Sequence, residues 1–132
     1  MKAEIFKAYD IRGRYPGELD EKIAAGVAKA LAENLFKKGK VVVAHDARLS
    51  SPELYRAILE ALKIENLKLE IVEVGLATTP MFYFLVNDLK AGGGLMVTAS
   101  HNPKEYNGIK AVGPKAAAIS GTEIYELYKT LR

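Results

Sequence analysis

The chain has 132 residues, of which 49% are hydrophobic and 27% charged, and its formal net charge is +3. That length suits one compact domain around a single core, and Lys and Arg are mixed with Glu, so no block of like charge marks a nucleic-acid tail. There is no cysteine, which excludes disulfides, zinc-thiolate sites and thiol catalysis; no apolar run is long enough to span a membrane, and Met1–Phe6 lacks the apolar stretch of a signal peptide. The default reading is a soluble cytoplasmic protein.

Tyr9-Asp10-Ile11-Arg12-Gly13 comes first along the chain. An arginine placed before a glycine can present its planar fork to a phosphate through two parallel hydrogen bonds, the ordinary alternative being an exposed arginine without such a role. From 20 to 37, Ile23, Val27, Leu31 and Leu35 form one apolar stripe and predict a helix. Asp20 or a neighbour caps it, and Lys37, Lys38 and Gly39 stop it. Val41-Val42-Val43-Ala44 predicts a short strand covered on both faces. His45-Asp46-Ala47-Arg48 follows, where Asp46 can pair with Arg48 or with Arg12 and fix the loop.

Ser51-Pro52-Glu53 reads as a helix start with a hydroxyl cap, a proline in the first turn and an acid beside it. This helix buries Leu54, Ile58, Ala61 and Leu62 and ends near Asn66. Residues 67–74 alternate and predict a strand with a partly exposed face, nearer a sheet edge. Thr79-Pro80 opens a helix over 80–89, with Phe82, Leu85, Val86 and Leu89 inward. Gly92-Gly93-Gly94 breaks the chain before a strand, Leu95-Met96-Val97-Thr98, and a further short strand covers Ile109 to Val112. Ser120-Gly121-Thr122-Glu123 starts a last helix carrying Ile124, Leu127 and Leu131. Strands alternating with helices predict an α/β fold, with right-handed crossovers and helices on both faces. In open parallel sheets ligands sit beyond the carboxyl ends of the strands, which draws attention to loops 44–51, 75–80 and 98–107.

The stretch Thr98-Ala99-Ser100-His101-Asn102-Pro103, followed by Tyr106-Asn107-Gly108-Ile109-Lys110, carries the most chemistry. Ser100 is a candidate nucleophile at a strand end; a lone turn serine would merely cap its own backbone. Neighbours on an extended chain point to opposite sides, so His101 beside Ser100 does not imply a hydrolase pair, and no Gly-x-Ser-x-Gly elbow is present. His101 can instead donate to a substrate phosphate or buttress the loop. Asn107-Gly108 reads as a tight turn, and a hairpin-like return would carry Lys110 back toward Ser100. Lys110 is then either a solvated strand lysine or a cation that neutralises phosphate or relays a proton.

Taken in order, these motifs resemble the N-terminal α/β/α domain of the α-D-phosphohexomutases, the phosphoglucomutase/phosphomannomutase family. The matching residues are Tyr9 to Gly13, Asp46 and Arg48 with Ser50 and Ser51, Gly75 with Thr79-Pro80, Thr98 to Pro103, Tyr106 to Lys110, and Ile119-Ser120-Gly121. The resemblance covers essentially the whole chain. It implies a three-layer α/β/α sandwich with a mixed, mostly parallel sheet, one domain over 1–132. It also implies that Ser100 carries a phosphoryl group and exchanges it with a hexose monophosphate through a bisphosphate intermediate, interconverting hexose 1-phosphate and 6-phosphate. Arg12 and Lys110 would be the nearby cations, acting on phosphate or in proton transfer, and His101 would contact the reacting sugar or phosphate. Tyr9, Asp10, Asp46, Arg48, Asn102 and Asn107 would support the loops. Mg²⁺ would be bound through the phosphate on Ser100, and hexose 1,6-bisphosphate would be the activator.

Two departures bear on these expectations. Family members usually have glycine and arginine before the aspartate of the second motif, where Ala44 and His45 stand here. Whole mutases have four domains, and the aspartate-rich metal loop, the sugar-binding loop and a last phosphate-binding loop belong to domains II–IV. The chain is therefore expected to need those domains, in cis or in trans, and to have negligible mutase activity and poor Mg²⁺ affinity alone. A non-catalytic sugar-phosphate-binding or assembly module of the same fold, and part of a phosphoglucosamine mutase, are the alternative readings. No nucleic-acid or membrane partner is expected.

Overall fold

The structure, a computed structural model, describes residues 3–63 and 67–131. Among these residues six strands form one sheet: β1 (Ile11–Arg14), β2 (Lys38–His45), β3 (Lys68–Leu76), β4 (Gly93–Val97), β5 (Tyr106–Val112) and β6 (Ala118–Ile119). The strand order is β1-β5-β4-β2-β3, with β6 also on β5. β2 pairs in parallel with β3 and β4, while β5 pairs antiparallel with β4, β1 and β6, so β5 alone runs against the other strands. The mixed, mostly parallel sheet is the expected one. Four helices cover it: α1 (Glu21–Leu31), α2 (Ser51–Leu62), α3 (Thr79–Asp88) and α4 (Gly121–Tyr128).

Alternation along the central strands separates the two faces. Val41, Val43, Leu95, Val97 and Ile109 pack with Ala24, Val27, Leu31, Leu54, Ile58 and Ile124 of α1, α2 and α4. Val42, Ala44, Met96 and Val112 pack with Phe82 and Val86 of α3. Both faces of β2 and β4 are thus apolar because both are covered, which is why those segments read as continuous apolar runs. β3 lies at the edge, as its alternating pattern predicted.

The helix starts follow side-chain chemistry. Asp20 accepts from the Ile23 N–H, Thr78 from the Met81 N–H and Ser120 from the Glu123 N–H. Ser51 differs from its expectation. It is already inside α2, the N-cap is Ser50 without a capping hydrogen bond, and the Ser51 hydroxyl is used elsewhere. The first helix does not run unbroken to 37. A π-helical turn, Ala32–Phe36, follows Leu31. The wider turn brings Phe36 inward, at 4% exposure, and leaves Leu35 of the predicted stripe at 41%. α2 stops at Leu62, and its predicted end near Asn66 lies outside the described residues. α4 stops at Tyr128, short of Leu131.

Two glycine readings are corrected. Gly93 and Gly94 belong to β4 and do not break the chain; a Cβ there would lie 2.3 Å from a Phe36 ring carbon and 2.8 Å from one of Phe82, so each glycine makes room for an aromatic ring. Asn107-Gly108 is not a turn. Both residues lie inside β5, paired with Gly13 and Arg12 of β1. A Cβ on Gly108 would come within 2.3 Å of the Ile11 carbonyl oxygen and 2.8 Å of that of Thr98, so the glycine permits close approach of three backbones. The chain reverses earlier, between Val97 and Tyr106, and this longer loop carries Ser100.

Candidate active site

β4 ends at Val97, and the loop beyond it is closed at its base where the Thr98 N–H donates to the Gly108 carbonyl at 2.9 Å. Within the loop, the Thr98 hydroxyl oxygen accepts from the Ser100 N–H at 3.1 Å, and the Asn102 N–H donates to the Ala99 carbonyl at 3.1 Å. Ser100 stands at the tip of this turn with φ 54, a left-handed conformation that costs a non-glycine residue about 1 kcal/mol or more. Its side chain is exposed. Such strain persists only where the surroundings over-determine it.

Arg48 supplies that constraint. Its Nη1 donates to the carbonyls of Pro103 and Tyr106, at 2.8 and 3.0 Å, and its Nη2 to those of Ser100 and Asn102, at 2.9 and 2.7 Å. The serine loop is wound around one guanidinium, whose five donors in a rigid fork suit it to several acceptors at once. Asp46 fixes Arg48 in turn: its Oδ1 accepts from the Arg48 N–H at 3.0 Å, and its Oδ2 lies 3.5 Å from Nε. Of the two partners considered for Asp46, Arg48 is the one it takes.

A polar ring ties this clamp to the sheet. The Ser51 hydroxyl donates to Asp46 Oδ1 at 2.5 Å, and Asn107 Nδ2 donates to the hydroxyls of Ser50 and Ser51 at 2.7 and 3.0 Å. Asn107 is fully buried, and its Oδ1 accepts from the Gly108 N–H at 2.8 Å. Among the described residues, no buried side-chain nitrogen or oxygen lacks a partner. A fully satisfied network of this kind rigidifies what it holds. The His45 ring packs at a tilt against the Tyr55 ring, centroids 4.7 Å apart, and donates through Nδ1 to the Asp46 carbonyl at 2.8 Å. The Tyr55 hydroxyl accepts from the Gly75 N–H at 3.0 Å, linking loop 44–51 to the end of β3.

The cations come from β1 and β5. Asp10, 2% exposed, accepts through Oδ2 from Arg12 Nε at 2.8 Å and from Lys110 Nζ at 3.3 Å. Arg12 Nη1 donates to Asn102 Oδ1 at 2.9 Å, which joins the cation cluster to the serine loop. A surface depression of about 310 Å³ is lined by Arg12, Ser100, His101, Asn102 and Pro103. Ser100, Arg12 and His101 are therefore brought together directly. Lys110 is not among the lining residues; it reaches Arg12 through Asp10, from a strand position opposite Met96. Tyr9, 76% exposed, lies with Asp10, Arg12 and Asn102 around a neighbouring cavity of about 560 Å³.

The sequence reading missed three contributions: the β1 strand that carries Arg12, the Ser50 and Ser51 hydroxyls, and the bridging role of Asp10. Four residues are too few for a periodic signal, and a hydroxyl beside a proline reads first as a cap. For Mg²⁺, the described residues contain no group of three or more His, Cys, Asp or Glu able to hold an ion. A hard cation taking six oxygens finds no sufficient set among the side chains of the described residues.

The fold is an α/β/α layer with an exposed serine beyond a strand's carboxyl end, sharing a surface depression with an arginine and an imidazole. Residues 3–132 match the family described as phosphoglucomutase/phosphomannomutase, alpha/beta/alpha domain I, and the chain belongs to that family. It is 48% identical over 120 residues to a protein named phosphohexose mutases from Xanthomonas campestris pv. campestris (strain B100), covering 91% of this chain and 26% of that one. It is 45% identical over 116 residues to a phosphomannomutase from Escherichia coli, covering 88% of this chain and 25% of the relative. A crystal structure of a phosphoglucomutase/phosphomannomutase family protein from Burkholderia thailandensis superposes with a TM-score of 0.83 at 37% identity, covering 98% of this chain and 30% of the other. The chain thus spans about a quarter of the length of these curated relatives.

Proposed function

We propose that this domain carries the phosphoryl group of a phosphomannomutase/phosphoglucomutase that interconverts hexose 1-phosphate and hexose 6-phosphate through a bisphosphate. The observation that supports it most is Ser100, exposed and left-handed on a loop wound around Arg48, sharing a depression with Arg12 and His101. In the proposed step the P–O bond to Ser100 Oγ breaks as a P–O bond to a sugar hydroxyl oxygen forms. The hydroxyl gives up its proton and Ser100 Oγ takes one; Lys110, held beside Arg12 through Asp10, serves as a cation for the phosphoryl group and takes part in this proton transfer. The sugar turns over, and its other phosphoryl returns to Ser100 by the reverse exchange. Arg12 and His101 offset the charge that spreads over the transferring oxygens, and positioning rather than covalent strain supplies the acceleration.

Mg²⁺ and hexose 1,6-bisphosphate remain part of this reading as cofactor and activator. The ion would be held by the Ser100 phosphoryl oxygens and by ligands from outside these residues, and would offset phosphoryl charge there. The remaining domains of a mutase, in cis or in trans, would supply the sugar contacts, and the chain alone should turn over negligibly. A cytoplasmic place of action is part of the same proposal; no helix among the described residues is long and apolar enough to cross a membrane.

Phosphopeptide mapping tests the reading. Phosphate on Ser100 after mixing with a hexose 1,6-bisphosphate and the remaining domains is expected. An unlabelled Ser100 in an assembly that binds sugar phosphate would instead make this a non-catalytic module. Turnover of glucosamine phosphates in preference to those of mannose and glucose would move the substrate assignment.

A further inference from the structure

Arg12 and Lys110 sit on adjacent antiparallel strands, β1 and β5, and two cations this close repel unless an anion lies between them. Asp10 is that anion. One oxygen, Oδ2, takes both Arg12 Nε and Lys110 Nζ. The carboxylate is nearly sealed from water at 2% exposure, while the Arg12 and Lys110 side chains keep 35% and 18%. Arg12 donates through Nε to Asp10 and through Nη1 to Asn102 Oδ1. The contact to Lys110, at 3.3 Å, is the longer of the two.

We propose that Asp10 is a positioning residue for phosphate. It is an internal counter-anion that holds Arg12 and Lys110 together while the site is empty and shares them with the phosphoryl group when one arrives. This rests on the reading that these cations serve phosphate. It adds that Asp10 trades ground-state phosphate affinity for placement. A buried carboxylate beside a bound dianion weakens binding, yet without it the two cations lose their common anchor and spread apart. A residue that merely supported the turn would lower affinity, or leave it unchanged, when altered. A counter-anion does the opposite.

The test uses the full chain and inorganic phosphate as the probe, followed by side-chain and amide NMR shifts, with thermal unfolding run on each variant. Asp10→Asn keeps the shape and removes the charge. It should bind phosphate about fivefold more tightly than the wild type, the size expected for deleting one partly screened like charge near the site. Lys110→Met should bind more weakly, and in that background Asp10→Asn should recover less than its effect in the wild type. In the complete mutase, Asp10→Asn should lower KM and kcat together. An Asp10→Asn chain that folds but binds phosphate no more tightly overturns the proposal. If Lys110→Met and Arg12→Lys nevertheless weaken phosphate, the proposed function survives; if neither variant changes phosphate binding, that reading of the cations fails as well. Should Asp10→Asn not fold, Lys110→Met decides: the Arg12 Nε–H resonance must move when the second partner of Asp10 is removed, and an unmoved resonance overturns the proposal.

Discussion

Arg48 grips the main chain of Ser100: its Nη2 donates to the serine's carbonyl oxygen at 2.9 Å, across 52 positions of sequence. Ser100 is thus left exposed while its backbone is held by the guanidinium. Three further carbonyls of the same loop go to the same guanidinium, so the serine's unfavourable φ is imposed rather than chosen.

Arg48→Ala should therefore release the loop. Hydrogen bonds from charged donors contribute about 1.5–3 kcal/mol each in isolation and are not additive, so a loss of about 2–4 kcal/mol in urea unfolding is expected. Arg48→Lys should recover little, because an ammonium cannot match the fork. Equal midpoints for Arg48→Lys and the wild type would contradict the clamp.

Ser100→Gly should separate stability from chemistry. Glycine occupies φ 54 without the Cβ penalty, and the variant should gain up to about 1 kcal/mol after the entropy it adds to the unfolded chain. The same variant should take no phosphate at position 100. A stability loss above about 1 kcal/mol would show that the serine's conformation is not strained.

Gly108→Ala places a methyl 2.3 Å from the Ile11 carbonyl oxygen, in backbone that no rotamer change can clear. Unfolding should move by about 3 kcal/mol or more, with the β1–β5 amides exchanging faster. Gly17→Ala, with nothing within 4 Å of the new methyl, is the control and should stay within about 0.5 kcal/mol.

Alkaline stability follows Tyr15. Burial, then its hydrogen bond to Glu21 at 2.8 Å, raise its pKa from 10.0 to about 12. Burial likewise raises Tyr55 and Tyr128. The folded chain keeps these protons after the unfolded chain has begun to lose them, so this stabilisation is complete below pH 10 and is lost as pH rises through about 12. Tyr15→Phe should flatten the fall of unfolding midpoint above pH 10; a fall as steep as that of the wild type would remove Tyr15 as its cause.

The sequence by itself determined the α/β class, the placement of helices α1 to α4, the edge position of β3 and the identity of the serine loop. Each of these rests on a local signal: a period, a cap, or a contiguous motif such as Thr98 to Pro103. Only the tertiary structure decided what long-range geometry controls. Asn107-Gly108 carries a strong local turn preference, yet it lies inside β5, where the close backbones of Ile11 and Thr98 demand a glycine and the hydroxyls of Ser50 and Ser51 demand a buried amide. The same holds for Asp10, which binds Lys110 from 100 positions away. Propensity sums over neighbours along the chain, whereas a bridging carboxylate or a guanidinium clamp is defined by neighbours in space. Those contacts exist only once β5 has reversed against β1 and β4.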